Sequence, residues 1–205
     1  MSRSSASQTG KLSTREELLR WAQELLQCKG LSGFSFQDLA DHLKIKKASI
    51  HYYFPTKQDL VEAIIENYHQ TFSQWEKSVE DQSAVEKWNS LIRLFRKTVL
   101  EEKKLCPSGA LIPEVATLPK EVRKKLCQFQ IEQRNWIEAM IRQGQSEESF
   151  SPHLRPKTTA LVIGATIQGS LQIARLHDSP EVFEATMKEI HHLLRASSRR
   201  KLSSQ

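Results

Sequence analysis

Residues 35–60 read S-F-Q-D-L-A-D-H-L-K-I-K-K-A-S-I-H-Y-Y-F-P-T-K-Q-D-L. The spacing of apolar positions predicts two short helices around a tight turn, with a third helix close behind. The first, over 36–43, takes Ser35 as its N-cap and gathers Phe36, Leu39, Ala40 and Leu43 on one face. The second, over 47–54, buries Ile50 and Phe54 and turns Lys47, Ser49, His51, Tyr52 and Tyr53 outward. Pro55 ends it, because proline disfavours helix at the preceding residue and has no N–H to donate. Ala40 is small enough for two crossing helices to approach, and Ile45 plugs the turn between them. Lys44 stands in that turn, where glycine commonly supplies a left-handed backbone. Two helices in this relation form a helix-turn-helix, whose second helix enters the DNA major groove.

The outward face of the second helix separates this reading from an ordinary basic helix hairpin. Between residues 44 and 55 there are three lysines, a hydroxyl, a histidine and two tyrosines, and no carboxylate. Lysines neutralise phosphates, and Ser, His and Tyr bond phosphates or base edges. The expected recognition surface is Gln37, Lys46, Lys47, Ala48, Ser49, His51, Tyr52, Tyr53 and Lys57, with Ser35 capping the supporting helix. Lys57, at a helix start just past Pro55, is expected to meet a phosphate.

The stretch I-K-K-A-S-I-H-Y-Y-F-P-T-K-Q-D-L resembles the signature of the TetR family of bacterial transcriptional regulators. Upstream, T-R-E-E-L-L-R-W-A-Q-E-L-L-Q-C-K-G-L-S-G-F-S is similar to that family's first helix and its glycine-containing exit. The resemblance is specific over residues 13–68 and looser beyond. It departs at Lys44, where glycine is common, and at His51 and Tyr53, which stand in exchanged order relative to the usual Tyr and His. The resemblance implies an all-α fold of about nine helices, with a three-helix helix-turn-helix domain followed by a larger helical ligand-binding and dimerisation domain. It further implies a homodimeric repressor released from a palindromic operator by a small-molecule effector.

Composition agrees with that class. The chain has 205 residues and a net charge of +6, and 39% of it is hydrophobic; that is long enough to bury a core, and the charge suits a polyanionic partner. No apolar run approaches the ~20 residues needed to span a bilayer, and the N-terminus lacks the apolar stretch of a secretory signal, so a cytoplasmic protein is expected. Three cysteines, Cys28, Cys106 and Cys127, fit a reducing compartment. No Gly-rich phosphate loop, nucleophile elbow or spaced His/carboxylate cluster points to an enzyme, and neither a metal site nor a cofactor is expected.

Helical periodicity continues along the chain. Residues 1–12 read as a flexible basic arm, 13–56 as the DNA-binding domain, 57–196 as the regulatory domain with 57–79 as connecting helix, and 197–205 as a basic tail. Further helices are expected over 83–103, 120–143, 157–177 and 180–196, with only a short helical turn near 111–116 in the proline-rich break between the first two. The 157–177 helix is almost free of charge and rich in small residues. Two interior glycines there each cost about 1 kcal/mol relative to alanine, which close helix contact offsets. Ala160, Gly164, Ile167, Gly169, Leu171, Val182, Phe183, Ile190, Leu193 and Leu194 are therefore the expected dimer interface, although burial within one subunit also accounts for such a helix.

Trp88, Phe95, Phe129, Trp136 and Met140 are candidate walls of an effector cavity, with Gln168 and Gln172 as polar contacts; the same residues also suit ordinary core packing. Lys103 and Lys104 lie near Cys106 and would lower its pKa, which keeps open a thiol-based redox-responsive regulator. A helical protein-interaction adaptor is the other alternative, and it leaves the lysine-aromatic face unexplained.

Overall fold

The computed structural model describes residues 12–97 and 104–195. The expected arm (apart from Leu12) and the expected tail lie outside the described residues. Nine α-helices occur among them: α1 Thr14–Lys29, α2 Phe36–Leu43, α3 Lys47–Tyr53, α4 Lys57–Ser78, α5 Ala84–Phe95, α6 Pro107–Leu111, α7 Lys120–Ser146, α8 Pro156–His177 and α9 Pro180–Leu194.

Local chemistry sets most of these boundaries. Ser13, Ser35, Thr56 and Ser83 each cap a helix, and the acidic residue three positions on reaches back to the cap, completing a capping box. The α2–α3 turn closes as expected, with Lys44 left-handed at φ 54 and ψ 42. The N–H of Ile45 then donates to the Ala40 carbonyl at 3.1 Å. A lysine in that conformation costs about 1–2 kcal/mol that glycine does not. Lys44→Gly is therefore expected to leave stability unchanged or raise it by up to about 1 kcal/mol in denaturant unfolding; a clear loss would contradict this account of the turn.

In the proline-rich break the expected short turn is the 3-10 turn Ile112–Glu114, and an unexpected helix, Pro107–Leu111, precedes it. Proline is favourable in a first helical turn, where its missing N–H would have no partner anyway, so Pro107 starts this helix. In α5 the regular helix ends at Phe95, and the rest of the expected 83–103 helix from residue 98 onward lies outside the described residues.

Two hydrophobic cores result. The first joins α1–α4 to Leu105, Ala110 and Leu111 around α6 and to Leu118, Val122 and Leu126 at the start of α7. The second gathers α5, the rest of α7, α8 and α9. Helix α7 packs on α4, α5 and α8, and so belongs to both. At its end, a Cβ on Gly144 would lie 2.2 Å from the fully buried Phe150 ring, so only glycine admits that approach.

Candidate nucleic-acid interface and regulatory cavity

Seven residues are too few for a helix that stands alone, and no side chain caps α3. It is held from beneath by Ile50 and Phe54, 0% and 2% exposed. Burial of one such side chain is worth about 1.5–3 kcal/mol, more than the ~1 kcal/mol of an N-cap, so packing decides this helix. Most of its outer face takes no part in that packing.

Lys46, Lys47, Ala48 and His51 are exposed there, and Tyr52 is 82% exposed. Ser49 is half-buried. Tyr53, expected outward, is half-buried and packs against the first core, edge-on to Tyr52 with ring centroids 5.0 Å apart. The Nδ1 of His51 lies 3.0 Å from the Pro55 carbonyl. A carbonyl only accepts, so Nδ1 carries a proton and donates here. On α2, exposed Gln37 donates to Asp41 at 2.7 Å. Ser35 is engaged in its capping box, whose hydrogen bonds from the Ser35 hydroxyl and backbone hold Asp38 below the usual carboxylate range.

Lys57 requires a correction. Its ammonium points inward, donating to the Leu31 and Phe34 carbonyls and lying 4.3 Å from the Phe34 ring centroid. Burial lowers its pKa, against the opposing charges of Glu114 and Asp38. Lysine is chosen here for reach to the loop after α1, not for phosphate. Lys57→Ala is accordingly expected to cost about 1–2 kcal/mol in denaturant unfolding through two lost charge-assisted bonds. The salt dependence of DNA binding should stay as it is; a salt slope reduced by about 1 would return Lys57 to the phosphate contacts.

The same loop is tied to the C-terminal part of the chain. Glu114 accepts from the Leu31 N–H at 2.6 Å, the Ser32 N–H at 3.0 Å and the Ser32 hydroxyl. A Cβ at Gly30, where φ is 77, would fall 2.7 Å from a Glu114 oxygen, so glycine serves both the backbone turn and the clamp. Arg175 of α8 donates to the Gln27 and Cys28 carbonyls at the end of α1.

A cavity of about 350 Å³ opens between α5, α7 and α8, with Phe72 of α4 and Ile112 in its wall. Of the expected effector contacts, Phe95 and Gln168 line it. The others are placed elsewhere. Trp88 lies near α9, its ring 6.1 Å from His191. Phe129 stands edge-on to Tyr68 and Phe72, and Trp136 packs on Trp75 at 4.9 Å. Met140 is buried in the second core, and Gln172 donates to the Gly109 carbonyl at 2.7 Å. Sequence reading missed Gln130, Gln133 and Arg134, which line the cavity from α7. One helical face bearing 130, 133, 134 and 137 was the available signal.

The expected dimer residues divide in two. Ala160, Ile167, Leu171, Phe183, Ile190 and Leu194 are buried within the subunit, at 0%, 2%, 1%, 0%, 9% and 1% exposure, and face the second core. Val182 is half-buried there, and Gly164 lines the cavity. Gly169 and Leu193 are exposed. Beside them lie Val162, Ile173 and Leu176, at 57%, 48% and 82% exposure. Positions 162, 166, 169, 173 and 176 share one helical face, and that face is the apolar seam of α8. The outward set lies on the face of α8 opposite Ala160, Gly164, Ile167 and Leu171, and Gly169 is the expected α8 residue that falls on it.

Cys106 is a buried thiol. It is 1% exposed, and burial pushes its thiol pKa up, with hydrogen bonding to Gln168 and the Gly109 N–H acting the other way. A protonated buried thiol is a poor nucleophile, which weighs against the thiol-based alternative at this position. Cys28 and Cys127 are exposed. Among the described residues no helix is long and apolar enough to cross a membrane.

A short helix anchored on one side, with a basic, aromatic outer face and carried on an all-α body with its own cavity, defines the class: a helix-turn-helix regulator. Residues 18–64 match the model of bacterial regulatory proteins of the tetR family, and residues 84–190 match the tetracyclin repressor-like C-terminal domain. The chain is 30% identical over 158 residues to the nucleoid occlusion factor SlmA of Marinobacter nauticus, covering 73% of this chain and 75% of that protein. It is 25% identical over 180 residues to an HTH-type transcriptional regulator in the lacX 3′ region of Lactococcus lactis subsp. lactis, covering 84% and 88%. In fold it is similar to a TetR-family transcriptional regulator from Agrobacterium tumefaciens, with a TM-score of 0.85 at 23% identity over 89% of this chain and 97% of that one. The reduced form of E. coli NemR superposes with a TM-score of 0.77 at 18% identity, over 90% and 98%. This chain belongs to the TetR family of DNA-binding transcriptional regulators.

Proposed function

We propose that the protein is a cytoplasmic, homodimeric repressor that leaves a palindromic operator when a small molecule enters its cavity. Residues 13–56 serve as the DNA-binding unit and 57–196 as the regulatory and dimerising unit, with α4 as the connecting helix. Lys46 and Lys47 meet phosphates, while Gln37, Ala48, Ser49, His51 and Tyr52 face base edges, with Tyr53 at the margin. One recognition helix reads only a few base pairs, so a second subunit is needed to specify a site. Pairing through the exposed seam of α8 and Leu193 of α9 would set two recognition helices about 34–36 Å apart, one turn of DNA.

The observation that carries this reading is the bonded route from the cavity to the helix-turn-helix. Ile112, in the cavity wall, is two residues from Glu114, which holds the backbone N–H groups of Leu31 and Ser32. Helix α7 is joined to α4 through the Phe72–Phe129 and Trp75–Trp136 ring pairs and the Lys125–Glu62 ion pair at 3.1 Å. A ligand that shifts α7 or the 112–114 turn moves both α4 and the loop that Lys57 also grips. It acts only if it binds the DNA-incompetent arrangement more tightly than the other.

Sequencing the genomic DNA fragments retained by the purified protein tests the reading. Inverted repeats with half-sites separated by about 10 bp or a multiple of it are expected, bound by a species of twice the 23.6 kDa chain mass or a multiple of that. Isolated, unrepeated half-sites bound by a monomer would contradict it.

A further inference from the structure

We infer that the cavity takes an organic anion, a carboxylate on an apolar body, with the carboxylate held by Arg134 and Gln130. This rests on the reading of the cavity as the effector site and names the chemistry of what enters it.

The walls are apolar, including Phe72, Phe95, Ile137 and Ile167, and Arg134 is the one charged residue among the described lining. A guanidinium is charged at every accessible pH and carries only donors. The carboxylates that could neutralise it along α7 are engaged elsewhere. Glu138, one turn on, accepts from Arg142 at 3.2 and 2.7 Å. Glu132 pairs with His69 and accepts from Gln128 at 2.7 Å.

Among the described residues three buried side-chain polar atoms have no hydrogen-bond partner, and two of them belong to the cavity lining, the Nε of Arg134 and the Nε2 of Gln130. Both are donors, spaced one helical turn apart on the face that lines the cavity. A buried donor normally has a partner, and two on one wall, one of them charged, call for an acceptor with negative charge. Gln133, 9% exposed and on the same wall, adds an amide that no described residue engages. A carboxylate matches the planar fork of arginine in two parallel bonds. One guanidinium suits a monoanion better than a doubly charged phosphate.

The apolar body has a place as well. A Cβ built on Gly164, in the α8 wall, would meet nothing within 4 Å. The small residues of α8 thus leave room opposite α7, and 350 Å³ lies at the low end of small-molecule sites.

Calorimetric titration of the full chain with hexanoate, octanoate, phenylacetate and indole acetate, beside octanamide and octylamine, tests the inference. At least one carboxylate is expected to bind, and to bind more tightly than the neutral and cationic compounds. Arg134→Met, which keeps the apolar stem, should weaken that carboxylate roughly 10- to 100-fold and leave octanamide unaffected. Gly164→Leu, which fills the cavity, should abolish carboxylate binding. Circular dichroism and melting of both variants confirm that they fold, and Arg134→Lys, which keeps the charge but not the fork, should recover part of the affinity. No carboxylate binding up to millimolar concentration, carboxylate binding indifferent to Arg134→Met in the folded variant, or tighter binding of octylamine would each overturn the inference. The two readings separate on retained operator DNA. An Arg134-dependent carboxylate that fails to release DNA leaves the anion site standing and removes its effector role; release by a neutral compound, indifferent to Arg134→Met, does the reverse.

Discussion

Replacing Lys46 and Lys47 together with alanine is expected to weaken binding to every DNA sequence alike, by about 10- to 100-fold near 0.1 M salt. Both side chains are exposed at the start of α3, and no carboxylate lies between residues 44 and 55 to neutralise them. Each phosphate contact contributes about 0.9 to the slope of log affinity against log salt, so the double variant should lose about 2 from that slope. The fold should be indifferent, because α3 is held by Ile50 and Phe54 from the other side. Unchanged salt dependence, measured on a fragment the wild type retains, would move the phosphate contacts off α3. The companion Lys57→Ala variant separates a lysine that structures the loop from lysines that meet DNA.

The second large effect concerns the seam of α8. Ile173→Glu is expected to convert the proposed dimer to monomer at micromolar concentration and to lower operator affinity by about 100-fold or more. Ile173 lies between Gly169 and Leu176 on the exposed face and is itself 48% exposed, so it is dispensable to the subunit's own core. Glutamate is a good helix former, and the helix should persist. Across a two-fold axis the substitution places a pair of carboxylates in an apolar contact, where unpaired charge costs about 3–5 kcal/mol. A contiguous exposed apolar face of this kind marks an interaction surface, whereas single exposed apolar residues do not. A variant that remains dimeric by light scattering would place the interface elsewhere.

The N-terminal half was legible because its information is local. Ser35 as an N-cap and Lys44 as a left-handed turn residue follow from their immediate neighbours, and the Thr56–Asp59 box repeats the same three-residue spacing. Lys57 misled for the opposite reason. A lysine beside a helix start looks like a phosphate ligand, and only the folded loop shows the Leu31 and Phe34 carbonyls awaiting it. In α8, periodicity identified a helix apolar over more than one face without saying which face meets α7 and α9 and which is left over. Gly164 and Gly169, alike in sequence, ended in the cavity wall and on the exposed seam respectively. Arg134 was hidden among the many charges of α7. Its difference from a solvated arginine lies in Phe72 and α8 closing around it, a tertiary fact with no short-range signature.

The most direct test of the central claim compares the DNA sequences retained by the wild type and by Tyr52→Ala. Tyr52 is 82% exposed on the outer face of α3 and can be removed without opening the core. If two copies of α3 read a palindrome, base preference should relax at one position in each half-site, the two positions related by the dyad, while the rest of the motif and its half-site spacing persist. An unchanged motif, or a change confined to one side of it, would contradict the account.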